Sequence, residues 1–179
     1  LIHTSFLGGS KFMAVREVRL FGDPVLLSKA DTVTDFDATL SHLIDDMFDT
    51  MDEQQGVGLA ANQVGVLQRV FVYDCNGTRG HIVNPEWEAI GDETVHEIEG
   101  CLSIPGINGP VTRHARVRVT GQDRHGTPVS FEADDLLARC VQHESDHLDG
   151  VLFLKRLEGD ERKTAMRSLR EQDWFLNRG

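Results

Sequence analysis

The feature that most constrains this 179-residue chain is the segment HESDH, residues 143–147. Around it, apolar residues recur on one side of a helical pattern: Leu136, Leu137, Cys140, Val141 and Leu148. We predict a helix that begins near Ala133 and ends at Gly150. Residues four apart lie one above the other on a helix, so His143 and His147 can reach one metal ion, with the intervening glutamate beside it. The sequence therefore predicts a metal site on a helix.

Two histidines do not complete a catalytic metal site, which usually has three protein ligands and an open position for water. No histidine follows His147, so a third histidine further along the chain is excluded. Cys140 shares the helix face but lies roughly 10 Å along the axis from His147, too far to share its ion. A downstream glutamate, as in HExxH endoproteases, stays open, with three candidates: Glu158, Glu161 and Glu171.

Another segment can also supply the third ligand, and Cys101 stands out by its surroundings. Gly100 and Gly106 let the backbone approach closely, and Pro105 stiffens the loop between them. Cys75 precedes an Asn-Gly turn and is more typical of an ordinary hairpin cysteine. Physical reasoning alone does not choose between the two cysteines.

The remaining patterns place helices on either side of a group of strands. Apolar residues from Asp35 to about Gln55 recur at helical spacing, which predicts an amphipathic helix capped by Thr34 or Asp35. We predict a last helix from about Glu158 to Trp174. Two hairpins are predicted between the helices, from residues 69–74 with 81–84 and from residues 115–120 with 127–131. Grouped strands without βαβ alternation indicate an α+β fold.

Charge and cysteine content narrow the classes of function. The chain has 18 basic and 29 acidic side chains, a net charge of −11, which disfavours non-specific binding to nucleic acid or anionic lipid. No apolar run approaches the roughly 18 residues that a membrane span needs. Three cysteines do not suggest a disulfide framework and favour a reducing compartment.

The first twelve residues differ in character from the rest of the chain. They contain a Gly-Gly-Ser stretch and precede Met13-Ala14, so we expect residues 1–12 to be a vector-derived remnant. The length of the remainder suits one compact domain. We therefore predict a single catalytic domain over residues 13–179.

Three segments taken together resemble the peptide deformylase family. They are GVGLAANQ at residues 56–63, EGCLS at 99–103 and QHESDHL at 142–148. The resemblance implies an α+β fold in which β-sheets pack around a central helix carrying the HExxH motif. It also implies an enzyme that hydrolyses the N-terminal formyl group of N-formylmethionyl nascent peptides and releases formate.

The resemblance assigns roles at the metal centre. Cys101, His143 and His147 would hold one divalent ion, Fe²⁺ by family habit, with Zn²⁺, Ni²⁺ or Co²⁺ able to take its place. Glu144 would accept the proton of the attacking water and pass it to the leaving amine. The backbone N–H of Leu102 and the side-chain amide of Gln63 would stabilise the oxyanion. An iron–thiolate centre of this kind should be inactivated by oxygen.

The resemblance also assigns peptide contacts and partners. The substrate backbone would pair with Val57, Gly58 and Gly100. Cys140 and Val141 would form one wall of an apolar pocket for the methionine side chain. We expect a cytoplasmic monomer that contacts the ribosome transiently. Arg113 is a candidate to orient Glu99 but is more typical of a surface arginine, and five further histidines are expected to be surface or structural: His42, His81, His96, His114 and His125.

Two other classes of function stay open on the sequence. An HExxH endoprotease would use a downstream glutamate as its third ligand and would cleave internal peptide bonds. A structural metal site or metal sensor would have four protein ligands, would exclude water and would give Glu144 no role. The position of Cys101 relative to the two histidines separates these classes.

Overall fold

The computed structural model describes residues 14–177, and the expectation for residues 1–12 lies outside this range. Within the range the strands are β1 (Gly58–Ala60), β2 (Val70–Cys75), β3 (Thr78–Ala89), β4 (Thr94–Gly100), β5 (Asn108–His114), β6 (Arg116–Gln122) and β7 (Pro128–Asp134). The helices are α1 (Ala38–Glu53), α2 (Asp135–Leu148), α3 (Gly159–Arg170) and α4 (Asp173–Leu176), with short 3₁₀ turns between some elements.

The described strands form two antiparallel sheets. Five strands form one sheet in the order β1-β2-β3-β6-β7, and β4 pairs with β5 in a separate two-stranded sheet. Helix α2, which carries the HESDH segment, contacts strands of both sheets. The mixed fold with a central HExxH helix is therefore as predicted.

Strand β2 shows why the large sheet is covered on both faces. Successive side chains of a strand point to opposite faces, and here both sets are buried. Val70 and Val72 join the apolar cluster of α1, whereas Phe71, Tyr73 and Cys75 join the cluster of α2. A strand buried on both faces reads as a nearly continuous apolar run, as residues 70–73 do before the half-buried Asp74.

Helix α1 begins later than predicted. Its N-cap is Asp37, whose carboxylate accepts a 3.0 Å hydrogen bond from the Leu40 N–H, so the prediction of Thr34 or Asp35 as cap is wrong. The apolar periodicity had included Phe36, which packs against the same core from outside the helix. At the other end, Gln55 takes a left-handed conformation with φ 55°, and the Gly56 N–H bonds the Met51 carbonyl to close the helix.

Both predicted hairpins are present, with longer strands. Strand β3 continues past residue 84 to Ala89 because a bulge between Val83 and Glu86 accommodates Pro85, which lacks an N–H for the ladder. Strand β7 runs on to Asp134, so Ala133 pairs with Val117 in the sheet and is not the start of α2. The β4–β5 hairpin was not predicted.

The C-terminal helix is divided. Helix α3 ends at Arg170 and α4 begins at Asp173, where the prediction had one helix to Trp174. The Trp174 Nε1–H donates a 2.8 Å hydrogen bond to the Pro105 carbonyl, which places the short helix against the loop that follows β4. Between residues 14 and 177, no helix combines the length and apolar character needed to cross a bilayer.

Candidate metal centre

Helix α2 places its two motif histidines next to each other, with their ring planes inclined at 68°. The ring centroids of His143 and His147 are 4.9 Å apart, and their Nε2 atoms are separated by 3.2 Å. This is the expected result of i, i+4 spacing on a helix. Both nitrogens therefore point at one position in space.

Cys101 supplies the third group, from the residue that follows β4. Its Sγ lies 3.4 Å from His147 Nε2, and the three candidate ligand atoms of Cys101, His143 and His147 all lie within 4.8 Å of one another. One thiol and two imidazoles are donors that Zn²⁺ and Fe²⁺ accept, so these side chains fit a single divalent ion. Within the described residues, none of the glutamates considered as a protease ligand joins this group: Glu158, Glu161 and Glu171.

The orientation of His143 is fixed by a buried ion pair. Its Nδ1 lies 2.9 Å from Glu99 Oε1, and Arg113 donates two 2.9 Å hydrogen bonds to the same carboxylate. Burial by itself raises the pKa of Glu99, but the hydrogen bonds from Arg113 and His143 outweigh burial and lower the pKa to about 2. Arg113 is only 5 % exposed, so the prediction of a surface arginine is wrong.

The same arginine reaches back to the motif. Arg113 Nη1 donates a 2.7 Å hydrogen bond to Asp146, which in turn accepts two hydrogen bonds from Arg156 at the surface. Asp146 is the fourth residue of HESDH and has no predicted role. Together these contacts hold the helix that carries the ligands against β5, the strand of Arg113.

Gln142 is a further positioning residue that the sequence analysis missed. Its side chain accepts a hydrogen bond from the His114 N–H and donates one to the His114 carbonyl, both at 2.9 Å. A single buried amide thus ties α2 to the end of β5. The available signal was its position directly before HESDH, within the segment QHESDHL.

Glu144 lies in the same cleft in a desolvated position. The residue is 4 % exposed, and burial, the largest influence, raises the pKa of its carboxyl to about 7. Its Oε2 has no hydrogen-bond partner among the described residues. A Cβ atom on Gly58 would lie 2.6 Å from Glu144 Oε1 and 2.6 Å from Cys140 Sγ, so only glycine fits at this point.

Gln63 faces the cleft from the 3₁₀ turn after β1. Its Oε1 accepts a 3.0 Å hydrogen bond from the Ala60 N–H, which fixes the amide so that Nε2 points toward Cys101 and Ser103. Nε2 lies 3.1 Å from Ser103 Oγ and 3.7 Å from Cys101 Sγ. The amide donor of this buried side chain is therefore held beside the metal ligands.

A cavity of about 360 Å³ opens onto these groups. Most of the predicted substrate and catalytic residues line it: Val57, Gly58, Gln63, Gly100, Leu102, Cys140 and Glu144. Val141 does not; it is fully buried in the apolar core behind this wall, because it points from α2 toward the sheet. Leu136, Arg139 and Ile98 also line the cavity and were not predicted.

Two strand edges face each other across this cavity. β1 is the terminal strand of the large sheet, and β4 pairs only with β5 among the described residues. Val57 and Gly58 lie at the first edge, with Ile98, Glu99 and Gly100 at the second. The exposed side chains of Val57 and Ile98 form an apolar mouth.

A Cys-His-His group beside a buried glutamate on an HExxH helix defines a hydrolase of the metal-dependent class. The sequence profile described as polypeptide deformylase matches residues 15–163. The chain therefore belongs to the polypeptide deformylase family, enzymes that remove N-formyl groups from nascent peptides.

Individual relatives agree with this assignment. Peptide deformylase 1 of Corynebacterium efficiens is 62 % identical over 167 residues, covering 91 % of this chain and 99 % of the relative. Its counterpart in Corynebacterium glutamicum is 64 % identical with the same coverage. Among solved structures, a peptide deformylase from Legionella pneumophila has a TM-score of 0.84 and 40 % identity, covering 92 % of this chain and 99 % of that one.

A further solved relative carries a ligand. The peptide deformylase from Synechococcus elongatus, solved in complex with actinonin, has a TM-score of 0.81 and 38 % identity. The match covers 86 % of each chain. The whole fold, and not only the motif helix, is therefore shared with this family.

Proposed function

We propose that this enzyme hydrolyses the formamide of N-formylmethionyl peptides at the cleft described above. The observation that carries the proposal is the convergence of Cys101, His143 and His147 on one position, with Glu144 beside them in the same cavity. Three protein ligands leave a position for solvent, as catalysis requires and a closed structural site does not.

Cys101, His143 and His147 would hold one divalent ion, Fe²⁺ in the cell, with Zn²⁺, Ni²⁺ or Co²⁺ able to bind the same donors. When bound, such an ion supplies Lewis acidity to the formyl oxygen and to the attacking water. Glu99 keeps His143 in place through Nδ1, so that Nε2 is left for the ion. The three ligands come from two separate elements, and the contact of Glu99 with His143 joins those elements.

Glu144 acts as the proton-transfer group. A carboxyl whose pKa is about 7 is poised between its two forms near neutral pH, which suits a group that must first accept and then donate a proton. It takes the proton of the attacking water and delivers it to the amine that leaves as the C–N bond of the formamide breaks. Formate and a free N-terminal amine are the products.

Neutral donors stabilise the negative charge that develops on the formyl oxygen. The Gln63 Nε2–H group is held toward Cys101 by the Ala60 contact at its other end, so the donor is oriented before substrate binds. The N–H of Leu102, the residue after the cysteine ligand, would be the second donor. Preorganised donors of this kind act without reorganisation during the reaction.

The peptide extends between the two strand edges as an added strand. Backbone groups of Val57, Gly58 and Gly100 would pair with it, so binding tolerates varied sequences beyond the first residue. The methionine side chain would enter the cavity beside Cys140, while Val141 supports that wall from the core. The apolar mouth at Ile98 suits an apolar first side chain.

We propose that residues 13–179 act as one catalytic domain, as a monomer in the cytoplasm, with transient contact to the ribosome where formylated chains emerge. The three free cysteines suit a reducing compartment. The acidic net charge argues against sequence-independent binding to nucleic acid.

The test is formate release from formyl-Met-Ala-Ser by anaerobically purified protein, with metal content measured on the same sample. The matched control is Glu144→Gln, which should keep the metal and lose roughly 10²-fold to 10⁴-fold in kcat. Cleavage of an internal peptide bond without formate release would overturn the proposal in favour of an endoprotease. Full activity of Glu144→Gln would overturn the role of Glu144.

A further inference from the structure

Cys75 and Cys140 come together at the base of the cleft. Cys75 is the last residue of β2, Cys140 lies in the middle of α2, and both are free, buried thiols. Each Sγ lies 3.5 Å from the same acceptor, the carbonyl oxygen of Val57. The third cysteine, Cys101, is engaged at the metal centre.

The two thiols separate two cavities. Cys140 lines the catalytic cavity, whereas Cys75 lines a second cavity of about 460 Å³ whose wall includes Tyr73 and Phe131. A small solute can therefore approach the thiol pair from either side, although each residue is almost fully buried. Such a pair is accessible to a small oxidant but not to a protein.

We propose that Cys75 and Cys140 are a reversible modification site, which hydrogen peroxide converts into a disulfide. In the first step one sulfur forms an S–O bond as the O–O bond of peroxide breaks, giving a sulfenic acid and one water. In the second step the other sulfur attacks the first, the S–O bond breaks, and a second water leaves with the thiol proton. Two thiols and one peroxide thus give one disulfide and two waters, with both electrons passing from sulfur to peroxide.

The contact between the thiols favours this course over further oxidation. A neighbouring thiol reacts with a sulfenic acid before a second peroxide arrives, so oxidation stops at the disulfide, which thiols can reduce. The neighbouring Cys140 thiol lowers the pKa of Cys75 more than burial raises it, and the thiolate is the reactive form. In a reducing compartment, thiol exchange would return the pair to its free state.

The disulfide would affect substrate binding through Val57. Joining the sulfurs removes both thiol hydrogen bonds from its carbonyl, which lies next to Gly58 at the edge of the cleft. The oxidised enzyme should therefore bind formyl-peptide less tightly, with KM raised roughly tenfold, a usual size for coupling between two sites, and kcat changed less. This consequence rests on the proposed function, whereas disulfide formation does not.

The experiment treats the nickel-loaded enzyme with hydrogen peroxide and maps its cysteines by mass spectrometry. We expect a cross-linked peptide pair joining Cys75 to Cys140, loss of two hydrogens from the intact mass, and reversal of both by dithiothreitol together with recovery of KM. The proposal is overturned if Cys101 alone is oxidised while the other two cysteines stay free, or if the disulfide joins Cys101 to either of them.

The matched variant is Cys75→Ser, whose hydroxyl can still donate to the Val57 carbonyl but cannot form a disulfide. It should retain the basal formate release, form no disulfide and lose the part of the peroxide effect that dithiothreitol reverses. An unchanged reversible effect in this variant would overturn the link between the thiol pair and the cleft. Cross-link mapping of the unmutated chain decides the proposal by itself if the variant does not fold, and it requires no deformylase activity.

Discussion

The Nδ1 atom of His143 lies 2.9 Å from the Oε1 atom of Glu99, and this contact joins the motif helix to the strand that precedes the cysteine ligand. Arg113 holds the same carboxylate with two hydrogen bonds. The geometry of the metal centre therefore depends on an arginine that touches none of the ligand atoms directly. Substituting Arg113 therefore tests how the metal ligands are positioned without removing any ligand atom.

Arg113→Met should destabilise the fold and weaken metal retention. The substitution leaves Glu99 buried without its cation, and breaking a buried ion pair in this way costs about 3–5 kcal/mol. The measurement is urea unfolding of the metal-free protein, followed by metal content after dialysis of the loaded protein. Arg116→Met is the control, because Arg116 is exposed and its contact with Glu132 is long, at 3.5 Å. Equal unfolding curves for the two variants would contradict the role given to Arg113.

Gly58→Ala should abolish most of the activity while the metal is retained. The added Cβ would lie 2.6 Å from both Glu144 Oε1 and Cys140 Sγ, so the proton-transfer group must move. A displacement of about 1 Å at a reacting group costs on the order of 10²-fold in rate. The measurement is kcat for formate release with metal analysis.

Two further variants test the steric explanation. Adding Cys140→Ala to Gly58→Ala frees space on one side and should recover part of kcat. Gly159→Ala, where a Cβ meets nothing within 4 Å but φ is 52°, should cost about 1–2 kcal/mol of stability and leave kcat unchanged. A Gly58→Ala enzyme with normal kcat would show that the side chain of Glu144 tolerates the shift.

The metal ligands on α2 were predictable because helix geometry alone brings residues four apart together. His143 and His147 needed no information beyond the periodicity of their own segment. Cys101 lies far from the histidines in sequence. The β4–β5 hairpin places it beside them, and local sequence patterns did not reveal that hairpin. Only the resemblance of three motifs to a family selected it over Cys75.

Other features were missed because they depend on tertiary contacts. Arg113 looks like any arginine in a strand until the fold places Glu99 and Asp146 on either side of it. Val141 shares a helix with Cys140, yet a rotation of one residue directs it into the core instead of the cleft. Strand extension at Pro85 required a bulge, which depends on the partner strand.

Gln63→Leu should reduce kcat by about 10²-fold to 10³-fold, the usual cost of losing one oxyanion donor. Leucine also leaves the buried Ala60 N–H without its acceptor, which costs about 1–3 kcal/mol of stability. Gln63→Glu is a second variant: it keeps an acceptor for Ala60 and replaces the amide donor, but it also buries a carboxylate at a position only 1 % exposed, which costs stability of its own. Both variants should therefore lose kcat and unfold at a lower temperature than the parent protein. Normal turnover in either variant would remove Gln63 from the mechanism.

His81 should make stability depend on pH in mildly acid solution. Its Nε2 accepts a 3.0 Å hydrogen bond from the Arg124 N–H, so the ring must be neutral at this nitrogen in the folded state. Burial, followed by the charge of Arg124, lowers the pKa of His81 below its ordinary value of 6.5. The unfolded chain then binds a proton that the folded chain does not. The contribution of neutral His81 to the free energy of unfolding is complete above pH 6.5. It is lost as pH falls toward the folded-state pKa, by at most about 1.4 kcal/mol per pH unit.

The check on His81 compares urea unfolding at pH 5.5 and pH 7.5 for the parent protein and for His81→Gln, whose amide oxygen can still accept from Arg124. The loss of stability between these two pH values should be smaller in the variant than in the parent protein. A proton NMR titration of the His81 ring gives an independent readout and should show a midpoint below 6.5. Because this site lies on β3 near Phe48, away from the metal ligands, the effect should be the same with and without bound metal. A midpoint at or above 6.5, or equal pH dependence in both proteins, would mean that the Arg124 contact does not hold the ring neutral.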